Sequence, residues 1–575
     1  MSGTGALFQG GGLCIIYAVR RLRRWGTLLL VAGACTIGVS GCGGGAKQPK
    51  TKHTVATRGS ATASSSRAAP AAGSVGAIVD VDTQAAINQP IQYRVAIHDL
   101  RRSGPFVTLD FALTCLSSMC LPSYDLAQGA KEPGAASGVE LVDPAAGLEY
   151  QVVKDAQNRG YTSSLGSMTA GQTVQVWATY PVPPASVTAM DVLFGNGGAW
   201  IHDIPISSAA APDPATWGGS VTPATAAPFS QPPNSTSTAG LTLPVLQIES
   251  AVGNKNGSDQ ESGHRSTISL SADVLFRFGK SSLTAAAHSI LDEVAHRISH
   301  QAVGPVTVTG YTDSIGTDAV NIPLSQARAG AVVGALQPRT AAAHVHYTAR
   351  GLGSADPVAP NTTSTGADDP AGRALNRRVT ISYAVAKPMP PAPPPVVAAP
   401  STTPSTGPQT VKWRFTVPTT GSTPTYDYYN VTAAKIVRNG RFAVLALQIT
   451  CDSESPASSI GCDSLQAFAA GTSSTAVPPQ SAAVDSTLEQ ALESLTAVYL
   501  TDPRTGTEYI GSRDPDNNAV GSLIHTFPQG YLTPAWQYFA APPASATSMT
   551  VSLPGGTTKI YGVPVVDGPA ETVLP

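Results

Sequence analysis

The feature that most constrains this chain is an internal repeat. "YRVAIHDLRRSGPFVTLDFALTC" (Tyr93–Cys115) aligns without a gap on "YNVTAAKIVRNGRFAVLALQITC" (Tyr429–Cys451). A second block, Asp143–Ile206, aligns on Asp502–Val565 with 20 identities in 64 positions at one constant offset. It carries "DPAAGLEY" onto "DPRTGTEY", Trp177 onto Trp536 and "PPASVTAM" onto "PPASATSM". An offset held that long marks a duplicated module. One fold must therefore suit both copies. "FVTLDFALTC" and "FAVLALQITC" alternate with the period of a strand. "DPxxGxEY" is a turn, initiated by Asp-Pro and closed by a glycine free to take positive φ. Several short strands in roughly 130 residues predict an antiparallel β-sandwich. Trp177 and Trp536 read as core residues rather than ligand platforms.

A chain of 575 residues is too long for one core. Its 55 Gly and 48 Pro, with only 13% charged residues, suit short β domains on flexible linkers. Composition then sets the boundaries: 1–41 a signal segment, 42–75 a disordered tether, 76–208 the first β module, 209–243 a linker, 244–386 a central domain, 387–409 a Pro-rich extended spacer, and 410–567 the second β module. Net charge is −2 with no basic stripe, which argues against a nucleic-acid partner.

Arg20, Arg21, Arg23 and Arg24 precede "TLLLVAGACTIGVSGC". The apolar part is short for a membrane span, which needs about 20 residues. A positive flank, an apolar stretch and small residues describe a secretory signal. "VSGC" (Val39–Cys42) resembles the lipobox of bacterial lipoproteins. The resemblance implies cleavage before Cys42, its diacylation and stable membrane anchoring. An ordinary signal peptide and an uncleaved anchor stay open as alternatives. The long region ahead of the apolar run points to translation starting near Val19. Removing the four arginines leaves 31 basic and 37 acidic side chains (35 − 4 against 37), a mildly acidic chain.

Cys14 and Cys35 lie in the removed segment and Cys42 is the lipid site, leaving Cys115, Cys120, Cys451 and Cys462. In an exported chain these predict two local disulfides, Cys115–Cys120 and Cys451–Cys462. Cys-x4-Cys without a second pair or nearby His is weak evidence for the rival, a zinc site. The β modules resemble the immunoglobulin-like sandwiches of bacterial surface lipoproteins, a likeness that specifies no ligand.

The middle region alternates periods. "ISLSADVLFRFG" (Ile268–Gly279) reads as a strand entering a turn, and Leu283–Ile298 as a helix with Ala287, Ile290, Leu291, Val294 and Ile298 on one face. "VTVTGYTD" (Val306–Asp313) is a strand. Asn321–Leu336 is a helix capped by Asn321, with Pro323 in its first turn. "HVHYTARGLG" (His344–Gly353) and "NRRVTISYAV" (Asn376–Val385) are strands. The order β-α-β-α-β-β is an α+β sandwich with helices on one face.

Four blocks, "ADVLFRFGKSSL", "VTGYTDSIGTDAVNIPLSQARAGAVVGAL", "ARGLGSADPVAPN" and "GRALNRRVTISY", resemble the OmpA-like peptidoglycan-binding domain over about Ala272 to Tyr383. The resemblance implies that Asp313 and Arg328 hold the meso-diaminopimelate of the stem peptide. It places Asn321 and Arg377 in the same pocket and gives Thr312 a backbone role. Where the family has "FDFD" this chain has "FRFG", so Arg277 and Gly279 stand in place of acid or amide side chains. Asp368 and Asp369 read as solvated loop acids.

The chemistry is coherent in itself. The free end of diaminopimelate carries an ammonium and a carboxylate. A carboxylate receives the first and a guanidinium fork the second. Arg328 sits in the first turns of its helix, where a cation opposes the dipole and invites a functional explanation. On spacing alone, a structural Asp313–Arg328 salt bridge fits as well.

Other constellations carry no chemistry. His296 and His300 have metal spacing, but Arg297 stands where HExxH needs Glu. His344 and His346 lack a third ligand. "GSLIH" (Gly521–His525) lacks the nucleophile elbow. The expectation is a chain with no catalytic residues, metal or cofactor: a lipoprotein on the extracytoplasmic side of a membrane, binding peptidoglycan and tethering membrane to wall. Its β modules are left for further envelope proteins. The alternatives are an envelope enzyme, or an adhesin or complex subunit, that the central domain merely targets to the wall.

Overall fold

The computed structural model describes most residues between 77 and 568; it leaves out 209–220, 224–236, 392–406, 418–424, 453–461, 464–494 and shorter stretches. The signal segment, the tether, Cys42 and most of both linkers lie outside the described residues.

The two flanking regions have matching strand pairings. Phe106–Cys115 lies between Pro90–Ser103 and Thr173–Pro181, and Phe442–Cys451 lies between Thr425–Asn439 and Leu532–Ala540. Tyr93 faces Cys115 as Tyr429 faces Cys451. In each region a last strand, Ala199–Ser207 or Lys559–Asp567, returns beside the long strand Pro90–Ser103 or Thr425–Asn439 and joins it to the hairpins of the other half. That contact is parallel (Ile206 opposite Leu100, Val565 opposite Ile436), so the sheets are mixed rather than purely antiparallel as expected. Alternation of side chains is the same in both pairings and could not tell them apart. The halves of the first region close over one core, where Phe111 meets Phe194 edge-on with ring centroids 5.7 Å apart. Cys115 and Cys120 are disulfide-bonded. Cys451 is also disulfide-bonded, while the side chain of Cys462 lies outside the described residues.

The central domain runs β1 (Ser250–Asn254), β2 (Gly257–Ser262), β3 (Arg265–Ser271), α1 (Ala272–Leu275), α2 (Ala285–Gln301), β4 (Ala302–Gly310), α3 (Asp318–Arg339), β5 (Tyr347–Gly351), α4 (Pro370–Asn376) and β6 (Arg378–Val385). The expected β-α-β-α-β-β order is β3, α2, β4, α3, β5, β6. The β1–β2 hairpin and the short helices α1 and α4 are additions. The sheet order is β5-β4-β6-β3-β2-β1. β4 and β5 are parallel because α3 crosses between them. Leu291, Val294 and Ile298 of α2 and Val332 and Leu336 of α3 bury their faces on Ile268, Val308 and Ile381 of the sheet. Thr284 caps α2, its hydroxyl accepting from the Ala287 amide at 3.1 Å.

α3 begins earlier than expected. Its cap is Thr317, and Asn321 lies buried one turn inside, ahead of Pro323. Two glycines let this helix rest on the sheet. A Cβ on Gly310 would stand 2.2 Å from the Ser325 carbonyl oxygen, and one on Gly351 2.2 Å from the Gln326 amide nitrogen. Both contacts lie within one turn of Arg328.

The three regions are joined. β1 pairs with Thr507–Ile510 (Val252 opposite Tyr509), which merges the central sheet and the second β region into 14 strands. Val245–Gln247, which the sequence groups with the central domain, pairs with Leu148–Tyr150 of the first region. Val142, Leu193 and Trp200 of the first region pack with Phe442, Val444, Trp536 and Tyr538 of the second. Inside this seam the Asp191 carboxylate accepts from Trp200 Nε1 (2.9 Å), the Tyr538 hydroxyl (2.6 Å) and Asn439 Nδ2 (2.6 Å). Burial pushes its pKa up to about 6, against the pull of the Tyr538, Asp203 amide and Trp200 donors. Arg441 is the three-way junction: it ion-pairs with Glu261 of β2, both buried, and donates from Nη1 to the Ala146 carbonyl at 2.8 Å.

Candidate functional site

The loop from β4 to α3 is held rigidly. The Thr312 amide donates to the Gly353 carbonyl (2.7 Å), and its hydroxyl donates to the Asp313 carbonyl (2.9 Å). Asp313 Oδ1 accepts from the Ile315 amide at 3.1 Å, an Asx turn that fixes the carboxylate. Asn321 Nδ2 donates to the Ile315 carbonyl at 3.1 Å and ties α3 to the loop. Asn361 Oδ1 accepts from the Ser314 amide and from Asn376 Nδ2. Thr312 and Asn321 are thus buried supports of the loop, their polar groups satisfied by backbone partners.

Asp313 Oδ2 receives Arg377 Nη1 at 2.7 Å and faces Arg373 Nε at 3.7 Å. Arg377 also forks onto Asp273 of α1, with Nε to Oδ1 at 2.9 Å and Nη2 to Oδ2 at 2.6 Å. The two carboxylates hold the Arg377 guanidinium firmly ionised. Arg373 is paired with Asp368, and Asp369 caps α4 by accepting from the Ala371 and Gly372 amides. Asp368 is exposed, as a solvated loop acid should be, while Asp369 has a capping role that the sequence reading did not give it.

Arg328 is different. Its side chain is buried, its Nε donates to the Lys280 carbonyl at 3.1 Å, and its guanidinium carbon lies 5.3 Å from the centroid of the Phe276 ring. It forms no ion pair among the described residues; the Asp313–Arg328 salt bridge, open on spacing alone, is not made. Burial lowers its pKa, an effect that Asp273 and Asp313 oppose and Arg377 reinforces. Arg328 therefore shares one electrostatic neighbourhood with these groups.

Sequence reasoning missed Asp273 and Arg373, and took Asp368 only as a loop acid. The signal for Asp273 lay one helical turn before the Phe276–Gly279 stretch in which an acid was sought. Gly279 takes φ +66° in the turn after α1, with nothing within 4 Å of where its Cβ would be. His296 and His300 stack on the exposed face of α2, with His300 Nδ1 2.7 Å from the His296 carbonyl.

Residues 275–369 match the OmpA family. This segment is an OmpA family domain. The chain is 43% identical over 100 residues to the peptidoglycan-binding protein ArfA of Mycobacterium tuberculosis, covering 17% of this chain and 28% of that protein. It is 42% identical over 92 residues to outer membrane protein P5 of Haemophilus influenzae, covering 16% and 26%. It is 41% identical over 112 residues to the photosystem I P700 chlorophyll a apoprotein A2 of Gloeobacter violaceus, covering 20% and 13%. Each match is the size of the OmpA family domain and spans at most 20% of this chain and 28% of the relative.

Proposed function

We propose that this chain is a non-enzymatic cell-envelope protein whose OmpA family domain binds peptidoglycan through the free end of diaminopimelate. Asp313 takes the ligand ammonium and Arg328 forks onto its carboxylate. Thr312 and Asn321 hold the loop that aims Asp313, and Arg377 braces its carboxylate. The observation that carries this reading is Arg328: a buried guanidinium whose one hydrogen bond, among the described residues, runs from Nε to a carbonyl. Burying a cation without an ion-pair partner is costly, and a ligand carboxylate would supply one. Each charge-assisted bond contributes about 1.5–3 kcal/mol. The name of the similar protein ArfA points the same way.

A lipid on Cys42 would hold the chain to a membrane, so that wall binding tethers membrane to wall. The β regions are contact surfaces for further envelope proteins, and the immunoglobulin-like sandwich remains the reading of their fold. The test is co-sedimentation of the chain without residues 1–41 with diaminopimelate-type sacculi. Asp313→Ala and Arg328→Ala are each expected to abolish it. Undiminished binding by both variants would sink the assignment.

A further inference from the structure

The charges around Asp313 pair off unevenly. Arg377 gives two nitrogens to Asp273 and only Nη1 to Asp313. Arg373 belongs to Asp368 and reaches Asp313 only at 3.7 Å. Arg328 pairs with no acid among the described residues. Three acids (Asp273, Asp313, Asp368) stand against three bases (Arg328, Arg373, Arg377), so the cluster sums to 3 − 3 = 0. Two of the bases have an acid of their own. What is left over is one acid and one base, Asp313 and Arg328.

We infer that Asp273 is the specificity-determining residue of this site: by occupying Arg377 it keeps the Asp313 charge available to an ammonium, so that the site selects a zwitterion over a plain anion. The inference rests on the reading of Asp313 and Arg328 given above. Arg377 already touches Asp313, and its planar fork favours two parallel bonds to one carboxylate. Without Asp273 the two freed nitrogens would have Asp313 as the acid already in contact. Asp313 would be neutralised, and the cluster would carry a net charge of +1. Arg328 would still bind a carboxylate, but an ammonium would meet like charge. Asp273 touches neither end of the ligand in this scheme. It acts through Arg377 and is a positioning residue. Gly279, without a side chain, offers no second acid in the turn that follows α1.

The test is calorimetric titration of the chain without residues 1–41 with a γ-glutamyl-diaminopimelate peptide, and with the same peptide acetylated on its free diaminopimelate amine. Acetylation keeps the carboxylate and removes the ammonium. Wild type is expected to prefer the first. Asp273→Asn is expected to weaken the first by about tenfold, the effect of one lost charge interaction, and to bind the second at least as well as wild type does. Asp273→Glu should restore the preference. A misfolded or merely loosened variant would lose both ligands in proportion. Proportional loss, or an unchanged preference in Asp273→Asn, overturns the inference. If wild type and Asp313→Ala bind both peptides alike, the parent reading fails and this inference falls with it; loss of binding in Asp313→Ala with an unchanged preference in Asp273→Asn sinks this inference alone.

Discussion

Arg377 donates from Nη1 to the Asp313 carboxylate at 2.7 Å, so the acid that the sequence pairs with Arg328 is bound in the folded chain to a different arginine. The consequence is a division of labour. Arg377 is already spoken for by two acids, whereas Arg328 is buried with its outer nitrogens uncommitted among the described residues. Of the three arginines around Asp313, Arg328 is the one that forms no ion pair among the described residues.

Lysine at position 328 keeps the charge and loses the fork. Arg328→Lys should weaken binding of a diaminopimelate peptide by about tenfold or more, from loss of one of two parallel charge-assisted bonds. Amidating the ligand carboxylate should cost wild type a comparable factor. The two changes together should cost little more than either alone, because both remove the same interaction. Titration of the four combinations decides it; simple additivity would place the carboxylate elsewhere.

The helix that carries Arg328 touches the sheet through backbone. Gly351→Ala would drive a Cβ to 2.2 Å from the Gln326 amide nitrogen, a contact that no rotamer change relieves. Such overpacking costs about 1–3 kcal/mol or more. A fall in Tm of several degrees is expected, with peptide binding weakened in the folded protein because α3 is lifted. Gly330→Ala has nothing within 4 Å and serves as the control.

The elements around this site were largely legible in the sequence, since the periods of α2, α3, β4 and β6 are local and the glycine and cap signals adjoin them. The start of α3 was not. Thr317 and Asn321 both have side chains of the capping type; the helix starts at Thr317, whose side chain makes no cap bond, and Asp318 in the first turn suits the positive end of the dipole. The fork from Arg377 to Asp273 spans 104 residues and depends on where β3 and β6 lie side by side, which no periodicity records. The seam between the β regions did leave a trace. In "LTPAWQYFA" Trp536 and Tyr538 are buried on one face and Ala535 and Phe539 on the other, and a strand apolar on both faces needs cover on both.

Acid should strengthen this protein over a defined interval. The Asp191 carboxyl titrates at about 6 in the fold, against an ordinary value of 3.8. A raised carboxyl contributes stability that is fully present below the unfolded pKa and is lost as pH rises through the folded one. Unfolding free energy should therefore decline between about pH 4 and 6, by up to about 3 kcal/mol from this group. Asp110, also pushed up to about 6 by burial, adds to the trend. Urea denaturation across this range measures it. Asp191→Ala should flatten the slope, and an equally steep decline in that variant would assign the effect elsewhere.

Breaking the junction at Arg441 should be severe. Glu261→Gln leaves the Arg441 guanidinium buried without its counter-charge, a loss of about 3–5 kcal/mol. Because Arg441 also holds the Ala146 carbonyl, the unfolding transition should fall as one cooperative step rather than split into separate domain transitions. Calorimetry distinguishes the two.

The seam between the two β regions joins unlike faces: Asp191, Leu193 and Trp200 of the first meet Phe442, Val444, Ala446 and Tyr538 of the second. A head-to-tail contact between repeats does not close on itself, and copies of this chain could in principle continue it into a fibre. The residues at the matching positions differ. Where the second region has Val444, Ala446 and Tyr538, the first has Thr108, Asp110 and Thr179. Where the first has Asp191, Leu193 and Trp200, the second has Thr550, Ser552 and Lys559. Thr108, Asp110 and Thr179 are already buried, as are Thr550 and Ser552, so these positions do not repeat the apolar seam.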